Sequence, residues 1–234
     1  MQSSIYRGVE EAGKKSPLEL PAKLGPKEIL LKITHASLCG TDVHFLASGM
    51  ALGYEGVGVI EKIGSRVTQF IVGEEIVLVQ LHQKWEDVYC YERSAYGEKD
   101  HNTGTFSDYC GLISTAVLDI GLKTYLHKVP DNLPSELAAP LQCAGATTYS
   151  AIVQSVKPGD RVGILGIGGL GHLAIQFSAK LGHETIVFSS SVDKKAEAKS
   201  FGASEFYLLS EPEKIRKPID VLIVAGSKYP EWSK

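Results

Sequence analysis

The run Gly166-Ile167-Gly168-Gly169-Leu170-Gly171 restricts what this chain can fold into more than any other segment. A G-x-G-x-x-G spacing alone is a weak signal, because glycine is common in loops. Here the context is specific. Arg161 to Leu165 is a short apolar run leading into the turn. Leu170 to Leu181 carries apolar residues at Leu173, Ile175, Phe177 and Leu181, and Gly182 closes it. A strand, a tight turn and a largely buried helix are expected in that order. Gly166 permits the turn, Gly168 lets the backbone approach a pyrophosphate, and Gly171 lets the helix pack closely on the strand. The start of the helix, Gly169 and Leu170, then offers unpaired N–H groups and the positive end of the dipole to phosphates. The plainer alternative is a glycine-rich turn without a ligand. The strand–turn–helix context favours a dinucleotide.

The surrounding rhythm agrees. Thr147 to Val156 fits a helix ended by Lys157-Pro158-Gly159-Asp160. Strands are expected at Thr185–Phe188, Glu205–Leu209 and Asp220–Ala225, with a helix over Lys194–Phe201. Strands alternating with helices imply right-handed βαβ units and a parallel sheet. The strand after the glycine turn decides between nucleotides. NAD sites usually end it in Asp or Glu, which accepts from the ribose 2′-OH. Here it ends Phe188-Ser189-Ser190-Ser191, followed by Val192-Asp193-Lys194-Lys195. Small hydroxyls beside two lysines suit a 2′-phosphate, so NADP(H) is expected. Asp193 is read as a cap of the following helix, and a plain strand-to-helix turn is the competing reading of the serines.

The first part of the chain reads differently. Between Ile5 and Pro140, short runs such as Ile29–Ile33, Gly56–Ile60 and Glu75–Val79 are broken by Gly, Pro and Asp. They suggest strands of an irregular β domain. Lys84 to Gly104 is strongly polar and is expected to be an exposed excursion. Residues 1–146 are thus assigned to a β domain and 147–234 to a dinucleotide-binding domain. A formal net charge of −3 over 234 residues gives no reason to expect a nucleic-acid partner or an anionic membrane surface. No apolar stretch is long enough to span a bilayer, and the first residues lack the apolar core of a secretory signal. The four cysteines, Cys39, Cys90, Cys110 and Cys143, are widely spaced and are read as thiols in a reducing, cytoplasmic setting rather than as disulfides.

Several segments together resemble the zinc-type medium-chain alcohol dehydrogenase/reductase family, most closely its cinnamyl alcohol dehydrogenase-like branch. Cys39-Gly40-Thr41-Asp42-Val43-His44 resembles the family's first catalytic-zinc motif, and Gly53-Tyr54-Glu55-Gly56-Val57-Gly58-Val59-Ile60 its Gly-His-Glu segment. Val72–Val77 resembles the strand beyond, Pro140-Leu141-Gln142-Cys143-Ala144-Gly145 the third zinc motif, and the SSS-x-x-KK segment the NADP(H) branch. The resemblance implies an α/β protein: a GroES-like, irregular β-barrel catalytic domain joined to a Rossmann parallel-sheet domain, with the active site in the cleft between.

Four departures stand out against that family. Tyr54 occupies the place of the zinc-binding histidine, and a neutral phenol, with a pKa of about 10, is a poor zinc ligand. Cys39, Glu55 and Cys143 remain as candidate metal ligands, with His82 or His101 as distant candidates for a third, and a metal-free site is favoured over a zinc-bound one. The polar excursion carries only Cys90, so the family's Cys₄ structural zinc is not expected there. The segment between His44 and Gly53 is also short. Finally, the chain stops just beyond the fourth Rossmann strand, which reads as an incomplete Rossmann domain. A fragment, a truncated product and a natural short form all stay open. A homodimer is allowed, although the strands that usually form its seam are missing.

The resemblance also implies chemistry. Thr41 and His44 match the family's proton relay. Tyr54 either donates a hydrogen bond or proton to a developing oxyanion or simply fills space left by a lost metal. The expected activity is NADPH-dependent reduction of a small activated carbonyl or conjugated alkene. The alternatives are a non-redox enzyme reusing the cleft for acid–base chemistry, or a nucleotide-binding pseudoenzyme.

Overall fold

Alternating apolar and polar residues turn the first half of the chain into antiparallel strands, and the computed structural model shows how they pair. It describes residues 2–79, 101–113 and 126–226. The chain divides into two units, Met1–Cys143 and Ala144–Lys234.

In the first unit, β1 (Gln2–Val9) and β2 (Ala12–Glu19) form a hairpin. Strands β3 (Glu28–Ser37), β4 (Glu55–Ile63), β5 (Glu75–Val79), β6 (Tyr109–Ile113) and β7 (Leu126–Lys128) build a five-stranded antiparallel sheet in the order β6-β3-β4-β5-β7. Successive residues of a strand point to opposite faces. Ile76 and Leu78 therefore join Ile29, Leu31, Ile60, Val67 and Phe70 in the main core. Val77 and Val57 face the other way, onto Ala138 and Ala139. Those alanines come from the short helix α2 (Ser135–Ala138) and the 3-10 turn Ala139–Leu141 that continues it. The register sets Ser37, the last residue of β3, opposite Glu55, the first of β4. Cys39, which caps helix α1 (Gly40–His44), and Tyr54 thus leave the same end of one strand pair.

The second unit alternates as its sequence requires. Helix α3 (Ala144–Ser155) is followed by β8 (Arg161–Leu165), α4 (Gly169–Lys180), β9 (Glu184–Ser189), α5 (Lys195–Ser200), β10 (Glu205–Leu208) and β11 (Val221–Val224). The four strands are parallel, in the order β10-β9-β8-β11. Val162, Ile164 and Val187 pack with Ala174 and Ile175 of α4 and Ala198 of α5, while Leu165, Ile186 and Phe188 face the other side. At the strands' N-terminal ends Arg161 pairs with Glu184 at 3.0 Å and Glu205 at 2.8 Å, tying β8, β9 and β10 together. The glycine turn lies at the opposite end of β8.

The α/β architecture expected from the sequence, a GroES-like β unit followed by a Rossmann-type parallel sheet, is present. Helix α3 begins at Ala144 rather than at Thr147. Its first turn is Ala144-Gly145-Ala146, small residues that carry no periodic signal, and Thr148 Oγ1 donates back to the Ala144 carbonyl at 2.7 Å. Most of the expected excursion at 84–104, with His82 and Cys90, lies outside the described residues. Among the described residues, no helix is long and apolar enough to cross a membrane.

Candidate functional site

The glycine turn is built almost wholly from backbone. Gly166 sits at φ +97°, a conformation that penalises any side chain, and its N–H donates to the Phe188 carbonyl at 2.9 Å. A Cβ on Gly171 would stand 2.0 Å from the Gly166 carbonyl oxygen, so the helix approaches the strand only because that atom is missing. At Gly168 and Gly169, by contrast, an added Cβ meets nothing within 4 Å. Gly168 is the extended N-cap of α4, and no side chain caps it. Among the described residues, then, no side chain caps the first N–H groups of this 12-residue helix, which Gly169 and Leu170 begin. His172, which sequence reasoning missed, places its Nδ1 3.1 Å from the Gly168 carbonyl and its ring against Phe201. Its only sequence signal is its place one turn beyond the N-cap.

The serines after β9 have separate placements. Ser189 is buried and accepts from the Ser191 N–H at 3.2 Å, Ser190 is exposed, and the Ser191 hydroxyl accepts from the Asp193 N–H at 3.3 Å. Ser191, not Asp193, is thus the cap of the turn Val192–Lys194. Lys194 pairs with Glu197 at 2.5 Å, whereas Lys195 is exposed and has no ion pair among the described residues.

In the first unit the strand-end geometry gathers the motif residues. Cys39 Sγ lies 3.3 Å from Cys143 Sγ, although the two are 104 residues apart in sequence. Thr41 is half-buried, with its hydroxyl 3.5 Å from the Cys39 sulfur. His44, at the last position of α1, is exposed, and Tyr54 is half-buried. Two carboxylates hold this arrangement from behind. Asp42 is 1% exposed; one of its oxygens accepts from the Cys39 N–H at 3.0 Å, and the other from Gly53 at 2.7 Å and Tyr54 at 3.1 Å. It therefore staples the Cys39 turn to the segment bearing Tyr54. Glu55, equally buried, accepts from the Cys143 N–H at 2.6 Å. Sequence reasoning gave Asp42 no role. Its signal was local: an acid three residues after Cys39, the spacing of a capping box.

Electrostatics follow from this burial. Desolvation pushes the Glu55 carboxyl up to about 8, against the opposing effect of the Cys143 N–H, and it also raises Asp42. A hydrogen bond from Cys143 brings the Cys39 thiol down to about 6, against the effect of burial.

A catalytic zinc asks for three protein ligands. Cys39 and Cys143 offer two sulfurs, the resemblance sets Tyr54 at the third place, and one Glu55 oxygen accepts from the Cys143 N–H. His101 is exposed on the surface. Among the described residues, no three His, Cys, Asp or Glu side chains are grouped to hold a metal ion. The described donors do not fit that site.

The first unit thus carries a close pair of thiols at a strand end, and the second a parallel sheet with a glycine-rich turn. Residues 25–122 match the alcohol dehydrogenase GroES-like domain. The chain is 32% identical over 216 residues to the NADP-dependent alcohol dehydrogenase C 1 of Mycolicibacterium smegmatis, an alignment covering 83% of this chain and 60% of that protein. Its fold matches CAD from Helicobacter pylori complexed with NADP(H), with a TM-score of 0.79, 26% identity, and 95% of this chain and 68% of that one covered. It also matches a cinnamyl alcohol dehydrogenase from Sorghum bicolor, with a TM-score of 0.80, 27% identity, and 98% and 71% covered. The chain belongs to the zinc-type medium-chain alcohol dehydrogenase/reductase family, in its cinnamyl alcohol dehydrogenase-like branch. It spans 58–62% of the length of the curated relatives it matches.

Proposed function

We propose that this protein is an NADP(H)-dependent oxidoreductase that reduces a small activated carbonyl or conjugated alkene without a catalytic zinc. The observation that carries the reading is the N-terminus of α4, where no described side chain caps Gly168, an added Cβ on Gly168 or Gly169 meets nothing within 4 Å, and Gly166 and Gly171 admit no side chain. The N–H groups of Gly169, Leu170 and Gly171 hold the pyrophosphate. Ser190 and Lys195, supported by Ser189, Ser191 and Lys194, take the 2′-phosphate, and no carboxylate ends β9 to repel it. The NADP-dependent relative and the NADP(H) complex of the structural relative support this nucleotide.

NADPH supplies a hydride when bound. The chain's own task is then to bind the substrate oxygen and to provide a proton. Without a Lewis acid, an acceptor that is already electrophilic, such as an enal or enone, is the better substrate. Tyr54 donates to the developing oxyanion, and Thr41 and His44 relay the replacement proton. The Cys39 and Cys143 thiols and the Glu55 carboxyl remain on the chain beside these groups, with no metal step assigned to them.

Titration with NADPH and NADH, followed by NADPH oxidation over a panel of enals, enones and aldehydes, tests this reading. Tighter NADPH binding is expected, with turnover that Tyr54→Phe slows while nucleotide affinity stays nearly constant. Equal affinities would remove the nucleotide assignment. Indifference to Tyr54→Phe would remove the phenol as donor.

A further inference from the structure

We propose that Cys39 and Cys143 are a redox-active dithiol that closes reversibly to an intramolecular disulfide, an oxidation site rather than two legs of a metal site. Their sulfurs already lie 3.3 Å apart, while a disulfide needs about 2.05 Å. Cys39 caps a helix of five residues, and Cys143 lies in the link between the turn Ala139–Leu141 and α3. Both side chains are half-buried and reachable by a small oxidant. The carboxyls beside them serve the backbone, Asp42 accepting from the Cys39 N–H and Glu55 from the Cys143 N–H, and among the described residues no three His, Cys, Asp or Glu side chains are grouped to hold a metal ion. Cys110 provides the internal contrast. It is 1% exposed, inside the apolar core of the antiparallel sheet with Ile29, Leu31 and Ile60.

The chemistry closes with a peroxide as oxidant. The first sulfur attacks the peroxide O–O bond, becomes a sulfenic acid and releases water. The second sulfur attacks the first, the S–S bond forms, and the hydroxyl leaves as a second water. Two thiols and one hydrogen peroxide give one disulfide and two waters, with two electrons passing from sulfur to oxygen. Closure draws the Cys39 turn, which bears Thr41, toward the Cys143 N–H that donates to Glu55. Oxidation is therefore expected to report on the same strand-end geometry as the proposed proton donors.

The proposal rests on the metal-free part of the functional reading and not on the choice of nucleotide. Purified full chain is treated with hydrogen peroxide, and its zinc content, thiol titre, intact mass and cross-linked peptides are measured. The expected result is a fall in thiol titre from four to two, a mass loss of about 2 Da, and a Cys39–Cys143 peptide that a dithiol reductant removes. Cys110→Ser keeps the cross-link, and Cys39→Ser abolishes it. One stoichiometric zinc that shields both thiols would overturn this proposal and the metal-free reading together. Zinc-free protein that yields sulfinic acids, or cross-links through other cysteines, would overturn this proposal alone. Peptide mapping of the unsubstituted chain decides the matter even if a variant fails to fold.

Discussion

The two units build their candidate sites from different material. Around Gly166–Gly171 the site is backbone: a positive φ, a missing Cβ and a row of uncapped N–H groups. Around Cys39 the site is buried side chains, with Asp42 and Glu55 fastening segments far apart in sequence. A backbone site tolerates changes in surrounding side chains but not the addition of one carbon at Gly166 or Gly171. A side-chain site depends on acceptors whose removal orphans several donors at once. The difference predicts where each unit is fragile.

The largest effect is expected at Asp42. Asp42→Ala leaves the N–H groups of Cys39, Gly53 and Tyr54 without their acceptor, at roughly 1–3 kcal/mol for each donor that stays buried. A loss of about 3 kcal/mol or more is expected in denaturant unfolding, together with a longer Cys39–Cys143 separation seen as slower disulfide closure. Asp42→Asn keeps one acceptor and should recover part of the loss. Equal stability of wild type and Asp42→Ala would reduce the staple to decoration.

Glu55 gives the comparison a pH axis. Its carboxyl titrates near 8 in the folded chain against 4.5 when unfolded, chiefly because burial disfavours the charge. The folded state then holds a proton that the unfolded state has lost. The Glu55 contribution is fully present below about pH 4.5 and is lost as the pH rises through 8. Between those values it tilts stability downward by up to about 1.4 kcal/mol per pH unit. Glu55→Gln, which keeps an acceptor for the Cys143 N–H and cannot ionise, should flatten that slope. The two proteins are compared by chemical denaturation at pH 5 and pH 8. An unchanged slope in the variant would mean that Glu55 is charged throughout.

Gly171 tests the backbone side of the contrast. Gly171→Ala places a carbon 2.0 Å from the Gly166 carbonyl, and relief requires the helix to retreat from the strand. Overpacking of this kind costs about 1–3 kcal/mol. The N–H row moves with the helix, so an increase of about tenfold in the Kd for NADPH is expected, with the Asp42 staple undisturbed. Gly168→Ala meets nothing within 4 Å, and a milder effect without nucleotide would separate packing from ligand approach.

The same difference explains how much was legible beforehand. The Rossmann-type elements were readable because βαβ periodicity and glycine spacing are local: the helix over Leu170–Leu181 and the strands around Arg161, Glu184, Glu205 and Val221 fall within a few residues of expectation. The motif cysteines were also found, but the agents that hold them were not. Asp42 reaches Gly53 and Tyr54 only because antiparallel pairing sets Ser37 opposite Glu55, a tertiary register absent from the motif itself. Glu55 was singled out from its place in the motif, and its bond to the Cys143 N–H, which spans 88 residues, was not readable there. The division of labour among the serines was hidden too. Whether a hydroxyl points inward, as at Ser189, or outward, as at Ser190, depends on where β9 ends.

The smallest effect is expected at the two lysines, where the sequence treats Lys194 and Lys195 alike and the structure does not. Lys194 is held by Glu197 one helical turn away, an exposed pair worth about 0–1 kcal/mol that competes with any phosphate. Lys195 is exposed without such a competitor among the described residues and begins α5 just beyond the hydroxyls. Lys195→Ala should therefore raise the Kd for NADPH by roughly fivefold, about 1 kcal/mol, and leave NADH binding unchanged. Lys194→Ala should change it less, and Glu197→Gln, which frees Lys194, should strengthen NADPH binding slightly. Measurement at low and high salt separates direct contact from long-range attraction, since the latter fades as ionic strength rises. If Lys194→Ala proves the more damaging, the Glu197 pair breaks when nucleotide binds and the lysine turns outward. If neither lysine matters, the 2′-phosphate is held by the serine hydroxyls and backbone alone.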